Sequence, residues 1–453
     1  MTNDKSKTVS WWQSVTARHW LVFAITSGAW LFDILDQRIF SVVRIPALSA
    51  LMALPGGDPQ VQAAAKVATA LMLIGTGVGG LMGGALGDRY GRARLLTHSI
   101  TLYAICNVLT AAAQTTDVML ALRFVSGLSF GAVFGLAVAI ITETAPAGAR
   151  LAMLALLQVM SAVGNVLAAV IKLQVDALAV AGVIDTANVW RVMFLIGGVP
   201  IFLAVISALK LRETETWLRL KNQGALPKSA MGAYVEIFRH PMERRNLWFG
   251  SAIAASGIIG LWAIGEYTID LQDVIFTNYY LADHTAAATR ILVAQTKNWA
   301  YILQMIGGGL GMASFGWAAE RFGRRTVFIA TFLACFVTTV FAYWRMQSPG
   351  DAYWMMPLMS FFQLGALAGY SIYLPELFSA RYRGTGVSFA YNLGRFAAAG
   401  GSFFSALMAT RVFAGLESPL PLRYSAIVMC VIFLFGAVIS WFAPETRGIP
   451  LRD

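Results

Sequence analysis

The chain has 453 residues, of which 58% are hydrophobic and only 13% charged, with a mean hydropathy of +0.65. A water-soluble domain carries roughly 45–50% apolar and about 25% charged residues, so the composition excludes a soluble enzyme, a disordered chain and a disulfide scaffold. The 34 Lys and Arg outnumber the 23 Asp and Glu, giving a net charge of +11. These positives fall between apolar runs, which assigns them to membrane topology and not to nucleic acid.

Residues 1–19 show no small-residue cleavage site behind a short apolar stretch and read as a retained cytosolic tail. A helix needs about 20 apolar residues to cross the hydrocarbon core. Runs of that scale lie near 20–42, 64–86, 95–114, 117–141, 151–174 and 190–210, and again near 246–268, 297–319, 326–345, 353–375, 385–410 and 423–443. The pattern predicts an all-α integral membrane protein of twelve transmembrane helices in two pseudo-symmetric six-helix bundles, 20–210 and 246–443. A polar cytosolic linker over 211–245, expected to carry short surface helices, joins the bundles, and a tail over 444–453 ends in the cytosol. Most Lys and Arg lie in segments that this topology puts inside, as the positive-inside rule requires.

Cys106, Cys335 and Cys430 stand singly in apolar runs, and His19, His98, His240 and His284 are scattered. No disulfide framework and no metal site is expected from such spacings, and no GxxxxGK[ST] signals a nucleotide-driven motor. No cofactor is expected. The expected partners are a small-molecule substrate and the lipid bilayer, without nucleic acid and without a need for a second subunit.

Two motifs recur. Gly84, Asp88, Arg89, Gly91 and Arg92 follow span 2, and Gly316, Glu320, Arg321, Gly323 and Arg324 follow span 8 at an offset of 232. Glu143 and Arg150 close span 4, while Glu376 and Arg383 close span 10 at an offset of 233. Separate motifs recurring at nearly half the chain length indicate duplication of a six-span unit. The charged members of each set are expected to form a network across the cytosolic ends of their own half, holding the bundles together until the site opens inward.

With these motifs the sequence resembles the major facilitator superfamily, whose loop between spans 2 and 3 carries G-x-x-x-D-R-x-G-R. Pro375-Glu376, Arg383-Gly384-Thr385-Gly386 and Tyr391-Asn392-Leu393-Gly394-Arg395 resemble the span 10 to 11 region of sugar porters and sialic-acid/proton symporters. Pro444-Glu445-Thr446-Arg447-Gly448 resembles the sugar-porter C-terminal signature, and Asp33-Ile34-Leu35-Asp36 resembles the D-G-x-D pattern of aromatic-acid/proton symporters, with Ile34 in place of glycine.

Asp33 and Asp36, at i and i+3 on one face of span 1, are candidates for proton coupling, because two carboxylates that close raise each other's proton affinity. An ion pair with Arg38 is the plainer reading. Arg123, at the start of span 4, needs a carboxylate at that depth, and the resemblance pairs it with a span 1 aspartate. Gly127, Gly131 and Gly135 follow it at every fourth position and let another helix pack closely. Substrate-facing candidates are Gln158, Asn165, Glu266, Tyr267, Asp270, Gln304, Gln363, Tyr370, Tyr373, Asn392 and Arg395; interhelical hydrogen bonding is the alternative for each. Arg395 either clamps a substrate carboxylate or pairs with Glu266 or Asp270.

Taken together, the residues and the resemblance imply a secondary active transporter in a bacterial inner membrane. It would carry a small polar metabolite, an organic acid or acidic sugar, in symport with protons by alternating access. Arg38, Arg44 and Arg395 favour an anion. A neutral-sugar porter is the nearest rival, and a transport-dead nutrient sensor is the alternative of another class. An integral membrane enzyme would need a nucleophile, metal or cofactor constellation that the sequence does not display.

Overall fold

The computed structural model describes residues 11–56, 58–413 and 415–452, and within them every side chain except those at 263, 266, 267, 287, 399, 402, 403, 405, 406 and 410. The first bundle comprises α1 (Ala17–Met52), α2 (Pro59–Tyr90), α3 (Arg92–Ala111), α4 (Thr116–Thr144), α5 (Arg150–Val180) and the pair α6 (Val189–Gly197) and α7 (Pro200–Lys210). Two short helices, α8 (Glu215–Asn222) and α9 (Ala230–Arg239), occupy the linker. The second bundle comprises α10 (Pro241–Ile259) with α11 (Gly265–Leu281), α12 (Ala286–Phe322), α13 (Arg324–Arg345), α14 (Pro349–Leu377), α15 (Arg383–Leu407) and α16 (Leu420–Met429) with α17 (Val431–Phe442). Counting α6–α7, α10–α11 and α16–α17 as one span each gives the twelve expected crossings.

Seven of these spans are long and apolar enough to cross a membrane by length and composition alone. The others, including α1 and α12, carry polar and charged positions that lower their hydropathy. Several spans also outrun their apolar stretches. Continuous α1 extends ten residues past position 42 and contains Pro46, and a single turn of π-helix, Gly260–Ile264, carries α10 into α11. Such a turn absorbs an extra residue without ending the helix.

The repeat appears directly in packing. A Cβ at Gly75 or Gly79 would fall 2.3 Å from Phe124 O or 1.9 Å from Leu128 O on α4, and one at Gly307 or Gly311 would fall 2.3 Å from Pro357 O or 1.8 Å from Phe361 O on α14. Glycine is required at these contacts because the backbones themselves touch. Gly127 and Gly131 complete the α2–α4 seam, whereas Gly135 faces Ser388 on α15. Helices α4 and α14 are thereby buried in the middle of their halves, while Phe202, Leu310, Val337 and Trp441 turn outward. An apolar exterior of this kind suits lipid.

Candidate functional site

At the end of the molecule that carries the linker, a chain of buried charges runs from one bundle to the other. Asp88 Oδ1 accepts from Arg92 Nε and Nη2 at 3.0 and 2.8 Å; Arg92 pairs in turn with Glu143, and Glu143 accepts from Arg383 Nη1 at 2.7 Å. Asp88 also accepts from the amides of Gly384 and Thr385 at 3.1 and 2.7 Å and from the Thr385 hydroxyl at 2.8 Å. Arg92 Nη2 reaches Ala380 O at 2.6 Å. Gly84 allows this, since a Cβ there would sit 2.3 Å from Gly384 O. The linker face is therefore closed in this structure, with the start of α15 locked onto the ends of α2 and α4.

Arg383, expected in the network of its own half, belongs to that of the first. A repeat offset identifies equivalent positions but does not say which bundle a long side chain reaches, and Arg383 at the mouth of α15 faces Glu143. In the second half Arg324 holds Glu376 at 2.8 Å, while Glu320 and Arg321 are exposed. Among the described residues Glu320 makes no ion pair, and the Arg321 guanidinium lies over Trp317 and Phe322. The α12 counterpart of Asp88 thus stays outside its network, because no turn of α5 presents amides to it as α15 does to Asp88. Arg150 makes no ion pair among the described residues and leaves its Nε unpartnered, although the Glu376 and Arg383 charges act on it. Arg89 sits over the Tyr90 ring at 6.0 Å.

Two helix-capping carboxylates lie outside the candidate residues, although Glu445 is part of the C-terminal signature noted in the sequence. Glu213 accepts from the amides of Ala93 and Arg94 at 3.1 and 2.9 Å, and Glu445, 232 positions later, accepts from those of Arg324 and Arg325 at 3.0 Å each. Each caps the helix that starts after a glycine of positive φ, Gly91 at 117° or Gly323 at 90°. The following threonines repeat the pattern, Thr214 donating to Glu143 at 2.6 Å and Thr446 to Glu376 at 2.5 Å. The recurring Glu-Thr dipeptide was the available signal. Although burial acts to raise it, the Glu445 pKa is held below its ordinary value by the amides of Arg447, Arg324, Arg325 and Thr446.

In the interior, Asp33, Asp36 and Arg123 are fully buried. Arg123 Nη1 lies 3.7 Å from Asp36 Oδ2, its Nη2 donates to Thr110 Oγ1 at 2.7 Å and Asn107 Oδ1 at 3.2 Å, and its guanidinium faces the Phe194 ring at 4.8 Å. Neither Asp36 oxygen accepts a hydrogen bond from a described residue. Asp33 Oδ1 accepts from Gln37 Nε2 at 2.7 Å, its Oδ2 has no partner among the described residues, and the Arg395 charge acts on it from the other bundle. Arg38 pairs with neither aspartate.

The remaining candidates separate into two sets. Gln158 and Asn165 lie where the bundles meet: Gln158 accepts from Trp30 Nε1 at 3.1 Å and donates to Leu367 O at 3.0 Å, and Asn165 accepts from the Tyr301 hydroxyl at 3.0 Å. Half-buried Arg395 stands 5.1 Å from the centre of the Tyr391 ring, which stacks on Phe134 at 4.0 Å, with Trp30 5.1 Å beyond. Asn392 abuts Gly80 and has no partner for its Oδ1 among the described residues, Asp270 is exposed and Gln304 is half-buried. By contrast Gln363, Tyr370 and Tyr373 are spent on packing within the second half, donating to Thr339 Oγ1, Ile253 O and Pro444 O. The Glu266 and Tyr267 side chains lie outside the described residues.

A carboxylate–arginine pair buried inside the first bundle, among α1, α3, α4 and α6, can exchange a proton out of contact with bulk water. Residues 50–231 and 312–453 match the sugar (and other) transporter family. A probable 4-methylmuconolactone transporter of Cupriavidus pinatubonensis is 25% identical, covering 98% of this chain and 95% of its own length. A niacin transporter of Acinetobacter baylyi is 24% identical over 96% of each. The solved structure of a proton:xylose symporter of the major facilitator superfamily superimposes with a TM-score of 0.74 at 18% identity, covering 96% of this chain and 98% of the other. The chain belongs to the sugar (and other) transporter family.

Proposed function

We propose that this protein is a proton-coupled symporter that takes up a small organic carboxylate by alternating access. It would work as a monomer in a bacterial inner membrane, with the linker face and both termini in the cytosol and the proton as its coupling ion. The observation that carries the proposal is the Asp36–Arg123 pair, a fully buried carboxylate 3.7 Å from a fully buried guanidinium, with the Asn107 amide as the neutral group acting beside it among the described residues. A carboxylate so poorly compensated gains by taking up a proton when Arg123 moves away and releases it when the pair re-forms. The names of the niacin and methylmuconolactone transporters support a planar, oxygen-rich substrate. Arg395 beside the Phe134–Tyr391 stack supplies a cation and an aromatic wall that suit such a molecule. Proteoliposomes carrying the protein should accumulate labelled nicotinate when the outside is acidic and lose that accumulation with a protonophore. Uptake indifferent to both treatments would sink proton coupling.

A further inference from the structure

We propose that Arg38, laid flat on Tyr301, is a carboxylate-binding element between the two bundles, forming a second anion contact beyond Arg395. The inference deepens the transporter reading and rests on it.

Arg38 is half-buried on α1, two residues past the fully buried Asp36, yet among the described residues it has neither an ion pair nor a hydrogen bond. Among the described residues its partner is a ring: the guanidinium carbon lies 4.5 Å from the Tyr301 centroid on α12. Arg44 on the same helix donates through Nη1 to Thr69 Oγ1 at 2.6 Å, although its Nε is unpartnered among the described residues. A guanidinium without a counter-anion at such depth is costly, and the π-face returns only about 0.5–2 kcal/mol. Arg38 is held in one plane with its donors unspent.

The platform beneath it is fixed. The Tyr301 hydroxyl donates to Asn165 Oδ1 at 3.0 Å, and Asn165 Nδ2 is tied to Ser161 O at 3.0 Å. The cluster therefore draws on α1 and α5 of the first bundle and α12 of the second, so a ligand held here touches both moving halves. One and two turns before Tyr301 on the same face of α12, Lys297, Asn298 and Ala294 line a groove of about 610 Å³ between α11 and α12. Arg290, also on its wall, makes no ion pair among the described residues, and buried Thr289 leaves its hydroxyl unpartnered there. Lys297 in that groove is paired with Asp273 at 2.7 Å, so among the described residues Arg290 is the uncompensated cation that an entering anion meets, three turns before Tyr301 on α12. A guanidinium can receive a carboxylate through two parallel N–H donors while keeping its stack on the ring, which selects a flat anion.

The test is binding by purified protein of nicotinate and of its neutral isostere nicotinamide, read by intrinsic tryptophan fluorescence. Wild type should favour nicotinate. Arg38→Gln should weaken nicotinate by about 10- to 100-fold, the loss expected for a charge-assisted contact, and leave nicotinamide within about twofold. Arg38→Lys keeps the charge but not the fork and should recover only part of the preference, so it carries the test if the glutamine variant does not fold. Tyr301→Leu should lose affinity with Arg38 intact, whereas Tyr301→Phe, which keeps the ring, should lose far less. Nicotinate binding unchanged in both Arg38 variants would overturn this site and leave the transporter reading standing through Arg395. Absence of any carboxylate binding in wild type would overturn both.

Discussion

Arg383 Nη1 and Glu143 Oε1 lie 2.7 Å apart, an ion pair that starts on the second bundle and ends on the first. Both groups are almost wholly buried, and Arg383 also donates to the carbonyls of Pro375 and Arg452. The contact joins the two bundles across the linker face, so separating that face must break it. Breaking one partner of a buried pair costs about 3–5 kcal/mol, enough to move a two-state equilibrium by about a hundredfold or more. Arg383→Gln should open the linker face. Spin labels on Arg89 and Arg321, at the ends of α2 and α12, should report a longer distance in the variant; an unchanged distance distribution would show that the pair does not set the resting state.

The two halves should answer differently to the same chemical change. Asp88 accepts two amides and a hydroxyl from α15 in addition to Arg92, whereas exposed Glu320 has no ion pair among the described residues. Asp88→Asn removes the charge from a crowded acceptor and should shift the population toward a linker-open form by about tenfold or more, the equivalent of 1.4 kcal/mol. Glu320→Gln should change the same label distance little, although the repeat alone implies equal effects. Equal shifts in the two variants would refute the asymmetry.

The span count and the repeat were legible because both depend on one-dimensional signals, apolar runs near bilayer length and motifs at a fixed offset. The ends of α1 and α12 were not. Helix continues through Pro46 and back to Ala286 on local propensity and packing, after the hydropathy has fallen. Partnership was the harder quantity. Asp33 and Asp36 were found as a pair, but that Asp36 faces Arg123 while Asp33 feels Arg395 depends on how α4 and α15 turn about α1. Tyr301 sits in an ordinary-looking Asn-Trp-Ala-Tyr stretch and gives no signal until α12 meets α5.

Glu445 gives a pH dependence with a definite sign. Its folded pKa lies below its ordinary value despite partial burial, because four backbone amides favour the charged form. A group depressed in this way stabilises the fold above its unfolded pKa of about 4.3, and that contribution is lost as pH falls through the folded value. Thermal unfolding in detergent should show wild type above Glu445→Gln at neutral pH, with the gap narrowing as pH drops below about 4. A gap constant over that range would assign the effect of the substitution to shape and not to charge.

The Asp36–Arg123 pair predicts the form of a coupling defect. Arg123 is the countercharge of Asp36, with only the neutral Asn107 amide acting beside it among the described residues, so removing the guanidinium leaves a buried carboxylate that gains by keeping its proton. Arg123→Ala should therefore hold Asp36 neutral, leaving exchange of internal for external substrate possible while abolishing accumulation driven by a pH gradient. Asp36→Asn fixes the neutral state by another route and should give the same separation of exchange from accumulation. Asp33→Asn should have a similar or smaller effect, since Gln37 and the Arg395 charge already act on Asp33. The double variant Asp36→Asn, Arg123→Ala should be no worse than either single one, because both act on one protonation step. Counterflow and net uptake measured side by side in proteoliposomes decide the matter, and gradient-driven accumulation surviving in Asp36→Asn would move the proton site elsewhere.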